Sequence, residues 1–157
     1  MITTLAVAFL AAPMDYDARA AVADRVIEAQ VANVERGDVD AYLSVLAPEF
    51  GAIHTRGHER KSAERPLTVS EIRERAELRR AFGLTARIAF DRVDVVELHG
   101  GKLLMTAEAE VSTPQWTRRW YDEFRLENRD DEWLVVAHRF WPMSEVVDGK
   151  ERHFDKA

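Results

Sequence analysis

The segment from Gly37 to Phe50 constrains the fold of this chain more than any other. Gly37 follows a long helical pattern, and a glycine at that point supplies the left-handed residue with which many helices end. Asp38 then caps a short amphipathic helix, and Pro48 prevents that helix from continuing. Helical patterns precede this segment and mostly strand patterns follow it. The sequence therefore predicts an α+β domain with N-terminal helices packed on one sheet.

Three helices are predicted from apolar periodicity and end signals. The first runs from about residue 17 to residue 36, and Gln30 and Asn33 fall on its apolar face. A buried amide must find a hydrogen-bond partner, so each of these residues bonds either to the protein or to a ligand. The second is the short helix after Asp38, and the third opens at the capping box Thr68-Val69-Ser70-Glu71 and closes at Gly83.

Strand patterns dominate the remainder of the chain. A short first strand is predicted at 50–56, and longer ones follow at 85–98, 102–113, 118–128 and 133–141, with a hairpin turn at 99–101. Such strands form a mainly antiparallel sheet that twists and curves. Because the helices cover only part of its concave face, the sequence predicts a cone with an internal pocket.

The two ends of the chain differ in character from its middle. Residues 1–14 form an apolar lead-in with the length of a signal-peptide core, but no Lys or Arg precedes it. It is too short to span a bilayer, and we expect a cytoplasmic rather than an exported protein. We assign residues 15–143 to a single domain and residues 144–157 to a loose polar tail.

Composition and charge exclude several classes of function. The net charge of −6 argues against a nucleic-acid-binding protein, and the absence of cysteine excludes disulfides and thiolate chemistry. The arginines of the third helix alternate with glutamates, which predicts a solvated face of mixed charge. The spacing of His54 and His58 would bring both side chains to one metal ion only if they lay on a helix. This segment is predicted to be extended, so we expect no metal site.

Three stretches together resemble one known superfamily. They are Gly37-Asp38-Val39-Asp40-Ala41-Tyr42-Leu43, Pro48-Glu49-Phe50, and the final strand Glu132-Trp133-Leu134-Val135-Val136-Ala137-His138-Arg139-Phe140. The chain resembles the nuclear-transport-factor-two-like superfamily, also called SnoaL-like, over roughly residues 17–141. The resemblance implies a cone fold and, for the enzymes of the group, acid–base chemistry with no metal or organic cofactor. The superfamily also includes transport adaptors and association domains.

The catalytic patterns of the superfamily match only in part. The region where its isomerases carry a base aspartate is Phe50-Gly51-Ala52-Ile53-His54-Thr55 here and has no carboxylate. Arg92-Val93-Asp94 has the spacing used by the epoxide hydrolases, but it falls one strand too early. The dehydratases use histidine with aspartate and tyrosine, and these residue types are present at His54, His138, Asp122, Tyr42 and Tyr121.

Alternation along the strand at 118–128 places two charges on an apolar face. Arg118 and Asp122 share this face with three aromatic residues, Trp116, Trp120 and Phe124. A charge in such a row either pairs with another or lines a wet cavity. Asp122 is thus a candidate pocket acid with Arg118 beside it, and a structural ion pair is the alternative.

Histidine and tyrosine supply the remaining candidate catalytic groups. An imidazole can act as a general acid or base, which makes His54 and His138 candidates. The alternatives are an exposed strand histidine for His54 and a satisfied core histidine for His138. Tyr42 can donate a hydrogen bond to an oxyanion or simply pack in the core. Alternation does not decide whether the row of His138 or the row of Trp133 faces the cavity. The ligand-contacting candidates are Trp116, Trp120, Phe124, Phe140, Gln30 and Asn33.

Two functions are compatible with these patterns. One is a cofactor-independent lyase or isomerase that binds a small apolar or cyclic molecule. The other is a non-catalytic ligand-binding or association module that forms a homodimer through the convex face of the sheet.

Overall fold

The structure, a computed structural model, describes residues 14–54 and 67–154. Most of the predicted lead-in and the residues 155–157 lie outside this part of the chain, as does His58. The helices are α1 (Tyr16–Arg36), α2 (Val39–Leu43) and α3 (Val69–Ala81). The strands are β1 (Leu46–His54), β2 (Arg87–Leu98), β3 (Lys102–Ser112), β4 (Trp116–Arg129), β5 (Glu132–Val147) and β6 (Lys150–His153).

The strands form one curved sheet in the order β1-β5-β4-β3-β2, with β6 paired to β5. Strands β2 to β5 form an antiparallel meander, whereas β1 pairs in parallel with β5. Helices α1 and α2 pack together, and α1 packs against β2. The predicted α+β class, with N-terminal helices on a curved and mainly antiparallel sheet, is confirmed.

The helix ends follow the signals in the sequence. The Asp15 carboxylate accepts a hydrogen bond from the Ala18 amide at 2.7 Å and opens α1. Gly37 closes it in a left-handed conformation with φ of 68°. Thr68 and Glu71 form the predicted capping box at the start of α3. Side-chain caps therefore fix the start of both long helices, and a left-handed glycine fixes the end of α1.

The first strand begins earlier than predicted. It starts at Leu46 rather than Phe50, so Pro48 lies inside the strand instead of before it. Because β1 lies at the edge of the sheet, a residue without an amide hydrogen is tolerated there. The pairing with β5 is irregular over the same residues, between Leu46 and Gly51.

The loose tail predicted from residue 144 is wrong as far as His153. Strand β5 continues to Val147, and β6 returns along it from Lys150. Asp148 and Gly149 form the connecting turn, both with positive φ. An Asp-Gly pair is a strong hairpin signal, which the polar composition of this segment obscured. The domain bounds of 15–143 stay a prediction.

The core lies between the helices and the inner face of strands β3 to β5. Its fully buried side chains come from both layers and include Val26, Leu103, Met105, Leu126 and Val135. In the part of the chain that the structure describes, no helix is both long and apolar enough to cross a membrane.

A bulge in β5 decides which of its residues face the core. Leu126 pairs with Val135, but Arg125 pairs with Ala137, so Val136 has no partner in the register. The extra residue reverses the alternation of side chains from this point onward. As a result, Val135 before the bulge and His138 after it both face inward. In a strand without a bulge, residues three apart would face opposite sides of the sheet.

Candidate functional site

Asp122 and His138 form a hydrogen-bonded pair on the inner face of the sheet. Phe124 lies opposite His138 and Asp122 lies opposite Phe140, so the pair joins β4 and β5 on the diagonal. His138 Nε2 is 2.7 Å from Asp122 Oδ1, and their side chains are only 11% and 8% exposed. This is the distance of a charge-assisted hydrogen bond in which the imidazole N–H donates to the carboxylate. The structure thus brings two of the predicted catalytic residues together.

Aromatic rings fix the orientation of the imidazole. Phe124 stacks on His138 with ring centres 4.1 Å apart and an angle of 15° between the planes. Phe140 packs against His138 at 5.1 Å, and Trp120 meets Phe140 edge-on at 5.6 Å. Three of the predicted ligand-contacting residues therefore surround the pair, on an otherwise apolar surface.

Tyr42, on helix α2, lies close enough to the pair for the charge of Asp122 to act on its hydroxyl. Burial raises the pKa of its hydroxyl, and the nearby charge of Asp122 raises that pKa further, whereas a hydrogen bond to Gln30 lowers it. The net change is upward, so the hydroxyl keeps its proton throughout the physiological range. A Gln30 amide that donates to the phenolic oxygen leaves this hydroxyl proton available to another acceptor.

Asn33 lies one turn beyond Gln30 on α1 and has a different partner. Its side-chain oxygen accepts a hydrogen bond from Arg79 Nη2 on α3 at 3.3 Å. Asn33 is buried, as predicted, and its carbonyl bonds to the protein.

Arg118 and Trp116 lie away from the pair. The Arg118 guanidinium donates to Glu145 at 3.0 Å and covers the Trp116 ring at 4.7 Å. Residues 118 and 122 are four apart on one strand, which separates them by about 13 Å. His54 is the last residue of β1, and its backbone pairs with Phe140. The His54 side chain lies outside the described part of the structure.

The sequence did not indicate one buried charge. Glu108 is 6% exposed and accepts hydrogen bonds from Arg92 at 2.9 Å and Arg119 at 3.1 Å. Arg92 reaches it from a bulge between Asp91 and Asp94, where Arg92 has φ of 50°. By alternation Glu108 belongs to the outer row of β3, where a charge is normally solvated. The bulge that turns Arg92 toward it has no clear signal in the sequence.

One cavity that the described residues line borders His138, but it opens on the outer side of the sheet. Its volume is about 70 Å³, and the rest of its wall consists of Gly51, Glu123, Arg125, Ala137 and Arg139. Because these strand residues alternate with Asp122, Phe124 and His138, the cavity lies across the sheet from the inner-facing pair. Within residues 14–54 and 67–154, no three histidine, aspartate or glutamate side chains are placed to share a metal ion.

Comparisons with known proteins identify the fold. No protein-family model and no curated protein matches the chain. Among solved structures, an NTF2-like protein from Shewanella baltica matches with a TM-score of 0.56 and 11% identity, over 83% of this chain and 98% of that one.

Two further structures carry more specific descriptions. ActVI-ORFA from Streptomyces coelicolor has a TM-score of 0.61 and 16% identity, over 78% of this chain and 96% of that chain. A ketosteroid isomerase-like protein from Erwinia carotovora atroseptica has a TM-score of 0.55 and 15% identity, over 80% of this chain and 94% of that chain. At such identities the likeness concerns the fold alone, and it confirms the fold that the sequence resemblance predicted: this chain has the nuclear-transport-factor-two-like cone fold.

Proposed function

We propose that the protein binds a small apolar or cyclic molecule and acts on it as a cofactor-independent lyase or isomerase. One observation carries the proposal: a buried aspartate and histidine share a 2.7 Å hydrogen bond on an aromatic surface, next to a buried tyrosine. Buried titratable groups that are paired in this way are candidates for acid–base catalysis.

Each member of the group has a chemical role. Asp122 accepts the Nε2–H of His138, which fixes the tautomer and leaves the lone pair on Nδ1. Nδ1 removes a proton from a carbon next to a carbonyl group of the substrate, and the carbonyl oxygen becomes an enolate. The protonated Tyr42 donates a hydrogen bond to that oxygen. Asp122 stabilises the imidazolium that forms, since the two groups are already in contact.

Two outcomes follow from the same intermediate. In an isomerase, the imidazolium returns its proton to a different carbon of the enolate, and the double bond moves. In a lyase, the enolate expels a hydroxyl group from the β-carbon, and that group leaves as water with the proton from the imidazolium. Both routes convert a carbonyl compound into a conjugated enone and need no further reactant.

The two routes share one measurement, because a conjugated enone absorbs in the ultraviolet. Cyclic β,γ-unsaturated ketones and cyclic β-hydroxyketones are incubated with the protein, and the absorbance is followed. We expect His138→Gln and Asp122→Asn to lower turnover by about 10²- to 10⁴-fold, the usual contribution of a general acid or base. The control His153→Gln changes an exposed histidine on β6. Full turnover in His138→Gln would contradict the proposal.

The alternative is an association module, and the outer face of the sheet supports it. Tyr121 and Trp141 pack side by side there at 5.7 Å, next to the buried Glu108. Aromatic residues are enriched at protein interfaces. Sedimentation velocity tests this function. A homodimer that Trp141→Glu dissociates, and that Tyr16→Glu on the exposed start of α1 leaves intact, would support it; a monomeric wild type would contradict it.

A further inference from the structure

A groove on the helix side of the molecule has a charge opposite to that of the whole chain. It consists of a crevice of about 140 Å³ between the C-terminal ends of α1 and α3, and a wider depression of about 470 Å³ that shares Glu35 and Thr85 with it. The chain carries a net charge of −6. The lining of the two parts instead contains four arginines and one glutamate: Arg36, Arg79, Arg80, Arg87 and Glu35.

Glu35 offsets at most one of these four positive charges. Its carboxylate accepts a hydrogen bond from the Ile88 amide at 3.1 Å, and among the described residues no arginine lies within ion-pair distance of it. A local excess of positive charge in a concave surface attracts anions, even on a protein that is acidic overall.

Arg79 is the innermost of the four arginines. It is half-buried, and its only described partner is the neutral side-chain oxygen of Asn33 at 3.3 Å. Arg73, nearly two turns earlier on the same helix, pairs with Asp40 at 2.8 Å. The solvated face of mixed charge predicted for α3 is therefore wrong at Arg79. A guanidinium has five N–H donors, so most of those of Arg79 have no acceptor among the described residues.

The C-terminal ends of α1 and α3 border this crevice, and free carbonyl groups at such ends repel an anion. Hydrogen bonds to these carbonyl groups weaken that repulsion here. The amides of Gly83 and Leu84 donate to the carbonyls of Arg80 and Arg79 at 3.0 and 2.9 Å. The amide of Asp38 likewise donates to Ala32 at the end of α1. These bonds occupy carbonyl groups that otherwise carry the negative end of the helix dipole.

We propose that the crevice binds an anion through a carboxylate or phosphate group, with Arg79 as its inner contact and Arg36 and Arg80 beside it. The volume holds such a group together with a few waters. Planar guanidinium groups bind both anions through paired N–H donors. Leu84 lines the crevice and is 64% exposed, so an apolar tail attached to the anion would cover it. Burial also lowers the pKa of Arg79, which a bound anion would reverse.

Calorimetric titration at low ionic strength tests the proposal with two probes, inorganic phosphate and octanoate. We expect at least one to bind the wild type, and Arg79→Gln to weaken that binding about tenfold or more, the effect of removing one charge-assisted contact. The matched control is Arg75→Gln, which neutralises an exposed arginine of α3 that does not line the crevice. Its effect should stay within about twofold.

Each outcome decides for or against the site. Binding of both probes indicates that the anionic group suffices, and binding of octanoate alone indicates that the apolar tail contributes. Circular dichroism checks the fold of Arg79→Gln; should this variant unfold, Arg36→Gln provides the same test at an exposed position and should weaken binding about threefold or more. The site is refuted if neither probe binds the wild type below about 10 mM, or if the crevice variants and Arg75→Gln bind alike.

Discussion

The hydrogen bond between Asp122 and His138 makes a quantitative prediction about stability. Replacing His138 by Phe removes the imidazole but keeps a ring against Phe124, and leaves a carboxylate that is 8% exposed without its partner. Replacing Asp122 by Leu leaves a buried imidazole N–H without an acceptor. In the double variant Asp122→Leu, His138→Phe, neither unpaired polar group remains.

The magnitudes follow from the burial of the pair. Stranding the carboxylate in His138→Phe should lower the free energy of unfolding by about 3–5 kcal/mol. Stranding the N–H in Asp122→Leu should lower it by about 1–3 kcal/mol. The double variant should lose at least about 2 kcal/mol less than the sum of the two, because apolar groups of similar shape replace both partners.

Urea denaturation followed by tryptophan fluorescence measures these free energies. The control is the double-variant cycle of His153 and Glu151, whose pair on β6 is 73% and 58% exposed and should show no measurable coupling. Additivity within about 0.5 kcal/mol at Asp122 and His138 would refute the claim that they are paired in the dry interior.

Three further predictions concern acid stability, tyrosine ionisation and a helix end. The Arg129 guanidinium holds the pKa of Glu49 below its usual 4.5, so the stabilisation is present above that pH and disappears as the pH falls through the lowered pKa. Arg129→Gln should therefore lower the free energy of unfolding at pH 7 but not at about pH 2. Urea denaturation measures both values, and an equal loss at the two pH values would contradict this. Asp122→Asn should lower the pKa of Tyr42 because it removes the nearby negative charge, but the pKa should stay above 10.0 because burial remains. Carbon NMR of the Tyr42 ring against pH measures this pKa. An unchanged pKa would show that the two groups are not close. Gly37→Ala should cost about 1 kcal/mol because φ is +68°, and an unchanged urea midpoint would argue against the left-handed helix end.

The sequence predicted those parts of the fold that depend on local chemistry. Caps and glycines set the helices, since Asp15, Gly37 and the Thr68 capping box act on neighbouring residues. Alternation found the strands of the meander. It failed where a position in the sheet matters more than the local pattern, as at Pro48, which is tolerated only because β1 is an edge strand.

The candidate site was predicted as a set of residue types but not as an arrangement. Alternation put Asp122 on an inner face, but the side chain it meets depends on the register between β4 and β5. That register contains a bulge at Val136, which reverses the facing of His138 relative to Val135. Arg118 was expected beside Asp122 and pairs with Glu145 instead, because residues four apart on a strand cannot meet but residues opposite each other on two strands can.

A double variant at Asp122 and His138 separates the two functions proposed for the protein. Folding tolerates an apolar replacement of the pair, whereas proton transfer does not. If Asp122 and His138 only fill space in a binding module, the double variant Asp122→Leu, His138→Phe should fold and keep its ligand, because well-packed apolar residues often replace a buried polar pair without loss. If they transfer protons, the same variant should fold equally well and lose turnover by about 10²-fold or more. Measuring unfolding and enone formation on this one variant therefore distinguishes a structural pair from a catalytic one, since a folded variant with wild-type turnover excludes the lyase or isomerase mechanism.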